Sequence, residues 1–221
     1  PNPTAFITVW GMTAQSTLYL PLDSDGKYNF DVYWGDGNSS HVTSATDPNA
    51  QHTYNSTDNF VVSIIGKIQG FSLFWTSDET APALKEIRQW GSLQLGNEGG
   101  YFHGCKNLVI TATARLDLRG TTDFSRMFED CYSLVSIPGS SQWDTSNVND
   151  MSEMFSGATN FSDSGIVSWN TSQVQGMSSM FFEASSFIQP IGKLNTAHVQ
   201  DMSYMFSRSS SFNQYFGDWK T

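Results

Sequence analysis

With 221 residues and a hydrophobic fraction of 38%, the chain can bury one large core or two smaller ones. Lys and Arg number 11 against 21 Asp and Glu, a net charge of −10. Residues 1–80 hold 8 acids and 2 bases, and residues 81–221 hold 13 acids and 9 bases. Both halves therefore repel phosphate, which argues against nucleic acid or an anionic membrane surface as partner. No apolar run approaches the length of a bilayer span, so no membrane insertion is expected within this chain. The opening Pro1-Asn2-Pro3 has no signal-peptide pattern and reads as a mature or trimmed chain. Ser, Thr, Asn and Gly replace charge on the surface, a composition that suits an exported protein.

The first elements are strands. Leu18, Leu20 and Leu22 alternate with other residues, as do Tyr28, Phe30, Val32 and Trp34, and later Phe60, Val62 and Ile64. Asp23-Ser24-Asp25-Gly26 and Gly35-Asp36-Gly37-Asn38 are turn signals between these runs. This pattern predicts a small antiparallel sandwich. Gly35-x-Gly37 lies in a predicted hairpin with no helix after it, so it is not a dinucleotide loop. Asp23, Asp25 and Asp36 are calcium candidates, but turn carboxylates that accept backbone N–H groups account for them better.

Trp34-Gly35-Asp36-Gly37, His52-Thr53-Tyr54 and Phe60-Val61-Val62-Ser63-Ile64 resemble the PKD-type immunoglobulin-like domain. The resemblance implies a PKD-like all-β sandwich over residues 1–75 that serves as an extracellular spacer. Residues 76–89 read as a junction, and residues 90–221 as a second domain.

That second segment repeats. Phe102, Phe128, Phe155, Phe181 and Phe206 form one column. Leu108, Leu134, Phe161, Phe187 and Phe212 form another, six residues later. Trp90, Leu116, Trp143, Trp169, Leu194 and Trp219 form a third, and Cys105, Cys131, Ala158, Ala184 and Ser209 a small-residue column. Met154, Met180 and Met205 precede the column phenylalanines and join the expected repeat core. Within a unit, Val148, Met151, Met154, Phe155 and Ala158 fall at helix-like offsets, which predicts one to two helical turns capped by Thr145 or Ser146. Stacking the units would turn each column into a shared core.

Trp143-Asp144-Thr145-Ser146-Asn147-Val148, Met151-Ser152-Glu153-Met154-Phe155 and Ala158-Thr159-Asn160-Phe161 resemble the BspA-like leucine-rich-repeat surface proteins. The resemblance implies an α/β leucine-rich-repeat solenoid of about five repeats, a cell-surface or extracellular location, and adhesion or recognition as the role. A protein or glycan on another surface would be the partner.

Groups that could carry chemistry are sparse. The histidines at 41, 52, 103 and 198 show no metal spacing, and no nucleophile elbow or P-loop is present, so neither cofactor nor catalysis is expected. Glu129-Asp130 reads as a solvated face, and the methionines as core packing. The threonines at 145, 171, 196 and 221 could suggest an ice-binding ladder, but their varied neighbours favour backbone capping. Cys105 and Cys131 fall within disulfide reach across adjacent repeats, yet the column's demand for small residues favours two buried thiols. Sequons at Asn38, Asn55, Asn160 and Asn170 permit glycosylation in a eukaryotic secretory route. The run of repeats reaches Trp219-Lys220-Thr221 with no polar cap. Further residues or a second chain are therefore expected over Met205, Phe206, Phe212 and Trp219, and self-association there would make the protein a structural subunit of a fibre or surface layer.

Overall fold

The structure, a computed structural model, describes residues 2–76, 79–215, 217 and 219. Thr221, the last member of the expected Thr column, and Lys220 beside it lie outside the described residues.

Strands β1 (Phe6–Met12), β3 (Lys27–Tyr33), β4 (Ser39–Val42) and β6 (Asp58–Gln69) pair antiparallel, with β6 between β1 and β3. Along β3 the side chains of Tyr28, Phe30 and Val32 are buried while Asn29, Asp31 and Tyr33 face outward, the period of two expected of a half-buried strand. The β3–β4 hairpin closes where Trp34 N–H donates to Asn38 O at 3.0 Å. Gly35 holds φ +89° there, and a Cβ on it would meet Val61 O at 2.6 Å, so the turn needs glycine. Strands β2 (Thr17–Tyr19) and β5 (Gln51–Thr53) form a separate two-stranded sheet. Trp34 stacks on His52 at 5.1 Å, and Tyr54 donates its hydroxyl to Trp34 O at 2.9 Å, which ties the two sheets together.

The expectation of an immunoglobulin-like sandwich is not met. One seven-stranded sheet takes up most of the strands: with β7 (Leu84–Gln89), β8 (Leu93–Gln94) and β9 (Val109–Ile110) its order is β4-β3-β6-β1-β7-β9, and β8 pairs with β6. The reason lies in β6 and β7. Strand β6 runs for twelve residues, pairs on both edges, and then takes β8 as a parallel neighbour. Strand β7 (Leu84–Gln89), inside the segment read as a junction, pairs antiparallel with β1 and parallel with β9 (Val109–Ile110). The sheet therefore runs directly into the first repeats, and a single connected core extends from Phe6 to Met205.

The expected α/β leucine-rich-repeat solenoid is also overturned. Apart from the single turn α1 (Thr80–Ala83), no α-helix occurs among the described residues, and the repeats carry only 3-10 turns at Ser140–Gln142, Ser164–Ser168 and Ile191–Lys193. The predicted helix over 148–158 is a run of reverse turns: Met154 N–H donates to Met151 O, Ala158 N–H to Phe155 O, and Phe161 N–H to Ala158 O. Each turn advances three residues, so it mimics the helical offsets. Two backbone positions per repeat rule out the helix. Arg126, Glu153, Ser179 and Tyr204 hold left-handed φ of 53–58°, as do Asp130, Gly157, Glu183 and Arg208 at 56–71°. Alternate N–H groups then point along the stack: Met151, Glu153, Phe155 and Gly157 donate to the carbonyls of Gly176, Ser178, Met180 and Phe182. The same ladder joins Arg126 to Ser152 and Phe181 to Met205. Bridges link Asp123, Asp150, Gly176 and Asp201 in parallel.

Candidate recognition surface

The aromatic columns hold the repeats in register. Phe102, Phe128, Phe155, Phe181 and Phe206 stack at 5.4–5.8 Å, and Phe155, Phe181 and Phe206 each lie 3.9–4.0 Å from the second-column ring of their own repeat. Trp143 stacks on Trp169 at 5.9 Å. Phe102, Phe128, Met154, Phe155, Met180, Phe181, Met205, Trp143 and Trp169 are buried, and Phe206 and Trp219 are partly buried against the same core. Phe128, Phe155 and Phe181 each lie between rings from both neighbouring repeats, so a surface built on that part of the stack is stiff.

One polar group in the interior escaped the sequence reading. Asp163, 8% exposed, accepts from Ile137 N–H at 2.9 Å, Ser140 Oγ at 2.8 Å and Gly165 N–H at 2.9 Å. It clamps the turn of one repeat to that of the preceding one. The Thr column also lies inside. Thr145 and Thr171 are 1% exposed and donate their hydroxyls to Asn170 O at 3.1 Å and Asn195 O at 2.9 Å in the next repeat. They therefore neither cap a helix nor face solvent. Cys105 and Cys131 are free, buried thiols, and Cys131 Sγ donates to Phe102 O at 3.1 Å. Burial pushes the Cys105 thiol well above its ordinary range, so it stays protonated.

The burial of Thr145, Thr171 and Thr196 fixes what faces outward. Each begins a turn closed by an N–H three residues on: Val148 to Thr145, Val174 to Thr171, and Val199 to Thr196. The carboxylate or amide of Asp144, Asn170 or Asn195 accepts the N–H of Ser146, Ser172 or Ala197, fixing each turn's entry. With the Thr inside and the Val buried or half-buried, Asn147, Gln173 and His198 are exposed, as are Asn149, Gln175 and Gln200. Gln175 N–H donates to Asn149 O at 2.7 Å and Gln200 N–H to Gln175 O at 2.8 Å, which sets the amides one repeat apart. They border a shallow groove of about 630 Å³ lined by Gly120, Thr122, Ser146, Asn147, Asn149, Asn170, Ser172, Gln173 and Gln175. All nine are uncharged.

Asp144 accepts from the groove residue Ser146 Oγ at 2.6 Å, and the ion pairs involve other residues. Arg126 places Nη2 3.0 Å from Glu153 Oε1 and Nε 3.7 Å from Glu129 Oε2, with its guanidinium 5.3 Å from the Phe74 ring. His103 Nδ1 lies 3.0 Å from Glu129 Oε2, close enough for an ion pair though not aligned as a hydrogen bond. Arg208 pairs with Glu183 at 2.6 Å over Phe182. Glu129 is therefore an ion-pair partner, and the His103–Glu129, Arg126–Glu153 and Arg208–Glu183 pairs bridge adjacent repeats. Asp36 accepts from Asn38 N–H at 3.0 Å and meets His52 Nε2 at 2.7 Å in the hairpin, while Asp23 and Asp25 lie in the β2–β3 loop. The sequon residues Asn38, Asn55, Asn160 and Asn170 are exposed, and Asn160 Nδ2 donates to Tyr132 O at 2.7 Å.

Residues 122–221 match the family described as "Mycoplasma protein of unknown function, DUF285". The match begins one repeat after the inter-repeat ladder does, since Gly100, Phe102 and Gly104 N–H already donate to Ser125, Met127 and Glu129 O. It agrees with the surface-protein part of the BspA-like resemblance over these residues, whereas the leucine-rich-repeat and PKD-like parts are not supported. No curated protein and no solved structure matches the chain.

Proposed function

We propose that the protein is a non-catalytic, cell-surface or extracellular recognition protein, and that the neutral groove across the repeats is where it takes a glycan. One observation carries the reading. In a chain of net charge −10, the groove from Gly120 to Gln175 is lined only by amides, hydroxyls and glycine. A carboxamide offers both a donor and an acceptor, the match for the paired hydroxyls of a sugar. The groups repeat at one per coil, which suits a ligand that itself repeats. The stacked rings beneath hold the backbone that carries them in register, so the ordering cost of binding falls on the side chains alone. The match of residues 122–221 to the DUF285 family supports a surface setting.

The test is titration of the chain with neutral and charged oligosaccharides chosen from a glycan array. The expected result is saturable binding of a neutral glycan, weakened about tenfold in the double variant Asn149→Ala, Gln175→Ala, at unchanged melting temperature. Binding that the double variant leaves unaffected, or that requires an anionic glycan, contradicts the reading.

A further inference from the structure

Trp75 is 79% exposed, whereas Trp10, Trp34 and Trp90 are fully buried and Trp143 and Trp169 nearly so. Its ring meets that of Phe74 edge-on at 4.7 Å, which supports it from one side. It borders a cleft of about 380 Å³ between the β2–β3 loop and residues 72–76, and Asp23, Ser24, Ser72 and Glu98 line the same cleft. Asp23 lies in a notch between two glycines: a Cβ on Gly70 would lie 3.0 Å from Asp23 Oδ2, and one on Gly96 3.2 Å. That oxygen is sealed from solvent and has no hydrogen-bond partner. The charges acting on Asp23 are those of Glu98 and Asp25, both negative. A half-buried acid with an unmet acceptor, two like-charged neighbours and an aromatic face at the cleft together suit a cation.

We propose that this cleft binds an organic cation, the ammonium or guanidinium of a partner's Lys or Arg side chain, with Trp75 covering it and Glu98 pairing with it. Glu98 and Asp25 make the field at the cleft negative, and Asp23 Oδ2, sealed beneath, does not touch the ligand. The choice of an organic cation over a metal rests on two facts. Among the described residues no group of three acidic, His or Cys side chains converges closely enough to hold a metal ion. The Trp75 ring also adds nothing to a hard metal but attracts a soft, weakly hydrated cation. This site is separate from the neutral groove and does not depend on it.

The experiment is a titration of the full chain with N-acetyl-lysine methylamide and N-acetyl-arginine methylamide, read at the Trp75 indole N–H by NMR. The isosteric norleucine amide and calcium alone are the comparison arms. The expected result is a saturable shift with a cationic probe and none with norleucine. Glu98→Gln, read at the same indole, and Trp75→Ala, read at the backbone N–H of Glu98, should each weaken binding about fivefold or more. Three outcomes overturn the proposal: no shift with either cation, equal shifts with norleucine, or a shift produced by calcium and not by the organic cations.

Discussion

The N-terminal sheet and the repeat stack solve the same problem, burial of a periodic apolar sequence, with opposite backbones. In β3 and β6 a period of two lies on an extended chain, and hydrogen bonds run between antiparallel neighbours. In the repeats a local period of three lies on reverse turns, and hydrogen bonds run between coils, joining residues 24 to 27 apart. The sheet holds its side chains through pairing partners on both edges. The stack holds its side chains through ring ladders. An apolar offset thus identifies the buried face in both regions but identifies the backbone only in the first.

The largest way to break the comparison is to remove a rung. Phe155 touches Phe128, Phe181 and Phe161. Phe155→Ala should destabilise by about 3–5 kcal/mol in a urea melt. A cost as small as that of an exposed-site substitution would mean the ladder does not carry the stack.

Asp163 tests a polar clamp that has no counterpart in the sheet. Asp163→Ala leaves Ile137 N–H and Ser140 Oγ without their acceptor and should cost about 2–3 kcal/mol, with Asp163→Asn recovering part of it. An Ala variant as stable as the parent would show that the clamp is idle.

Asp23 lies where the sheet meets the first coils. Burial, then the negative charges of Glu98 and Asp25, push its carboxyl up to about 7 from the ordinary value of 3.8. The folded state thus holds this proton more tightly than the unfolded chain does. Its stabilisation is complete below about pH 4, declines as pH rises, and is gone above about pH 7. Asp23→Asn should remove this slope and raise the melting temperature at pH 8 but not at pH 4. A parent and variant that respond identically to pH would refute the assignment.

The smallest effect expected is at Ser179, which holds φ +53° with a side chain that costs about 1 kcal/mol in that region. Ser179→Gly should stabilise the chain by about that amount, while its N–H bond to Ser203 O is kept. Glycine at the solvent-facing, extended Asp31 should instead destabilise.

Much of the sheet was legible because Tyr28, Phe30 and Val32 alternate and glycines mark the hairpin. Its joining to the repeats was not, because Leu84–Gln89 pairs in parallel with a strand two dozen residues away. The columns gave the stacking neighbours and the small-residue site that buries Cys105 and Cys131. They did not reveal the turns. The available signal was glycine at equivalent places, Gly100 with the left-handed Arg126 column and Gly104 and Gly157 within the Asp130 column, but the non-glycine members hid it. Asp163 carried no signal, since the equivalent positions hold Ser136 and Gln189. The neutral groove follows from Thr145 and Thr171 turning inward, which their hydroxyl bonds to the next repeat require and which spacing alone does not show.

The claim beneath all of this is that in the repeats alternate N–H groups, those of Met151, Glu153, Phe155 and Gly157, go to the next coil, while Met154 and Ala158 close three-residue turns within their own. NMR coupling across hydrogen bonds reads donor and acceptor directly. The account predicts a coupling between Phe155 N–H and the Met180 carbonyl, and likewise between Glu153 and Ser178. A coupling from Phe155 N–H to the Met151 carbonyl, the bond of an α-helix, would contradict it.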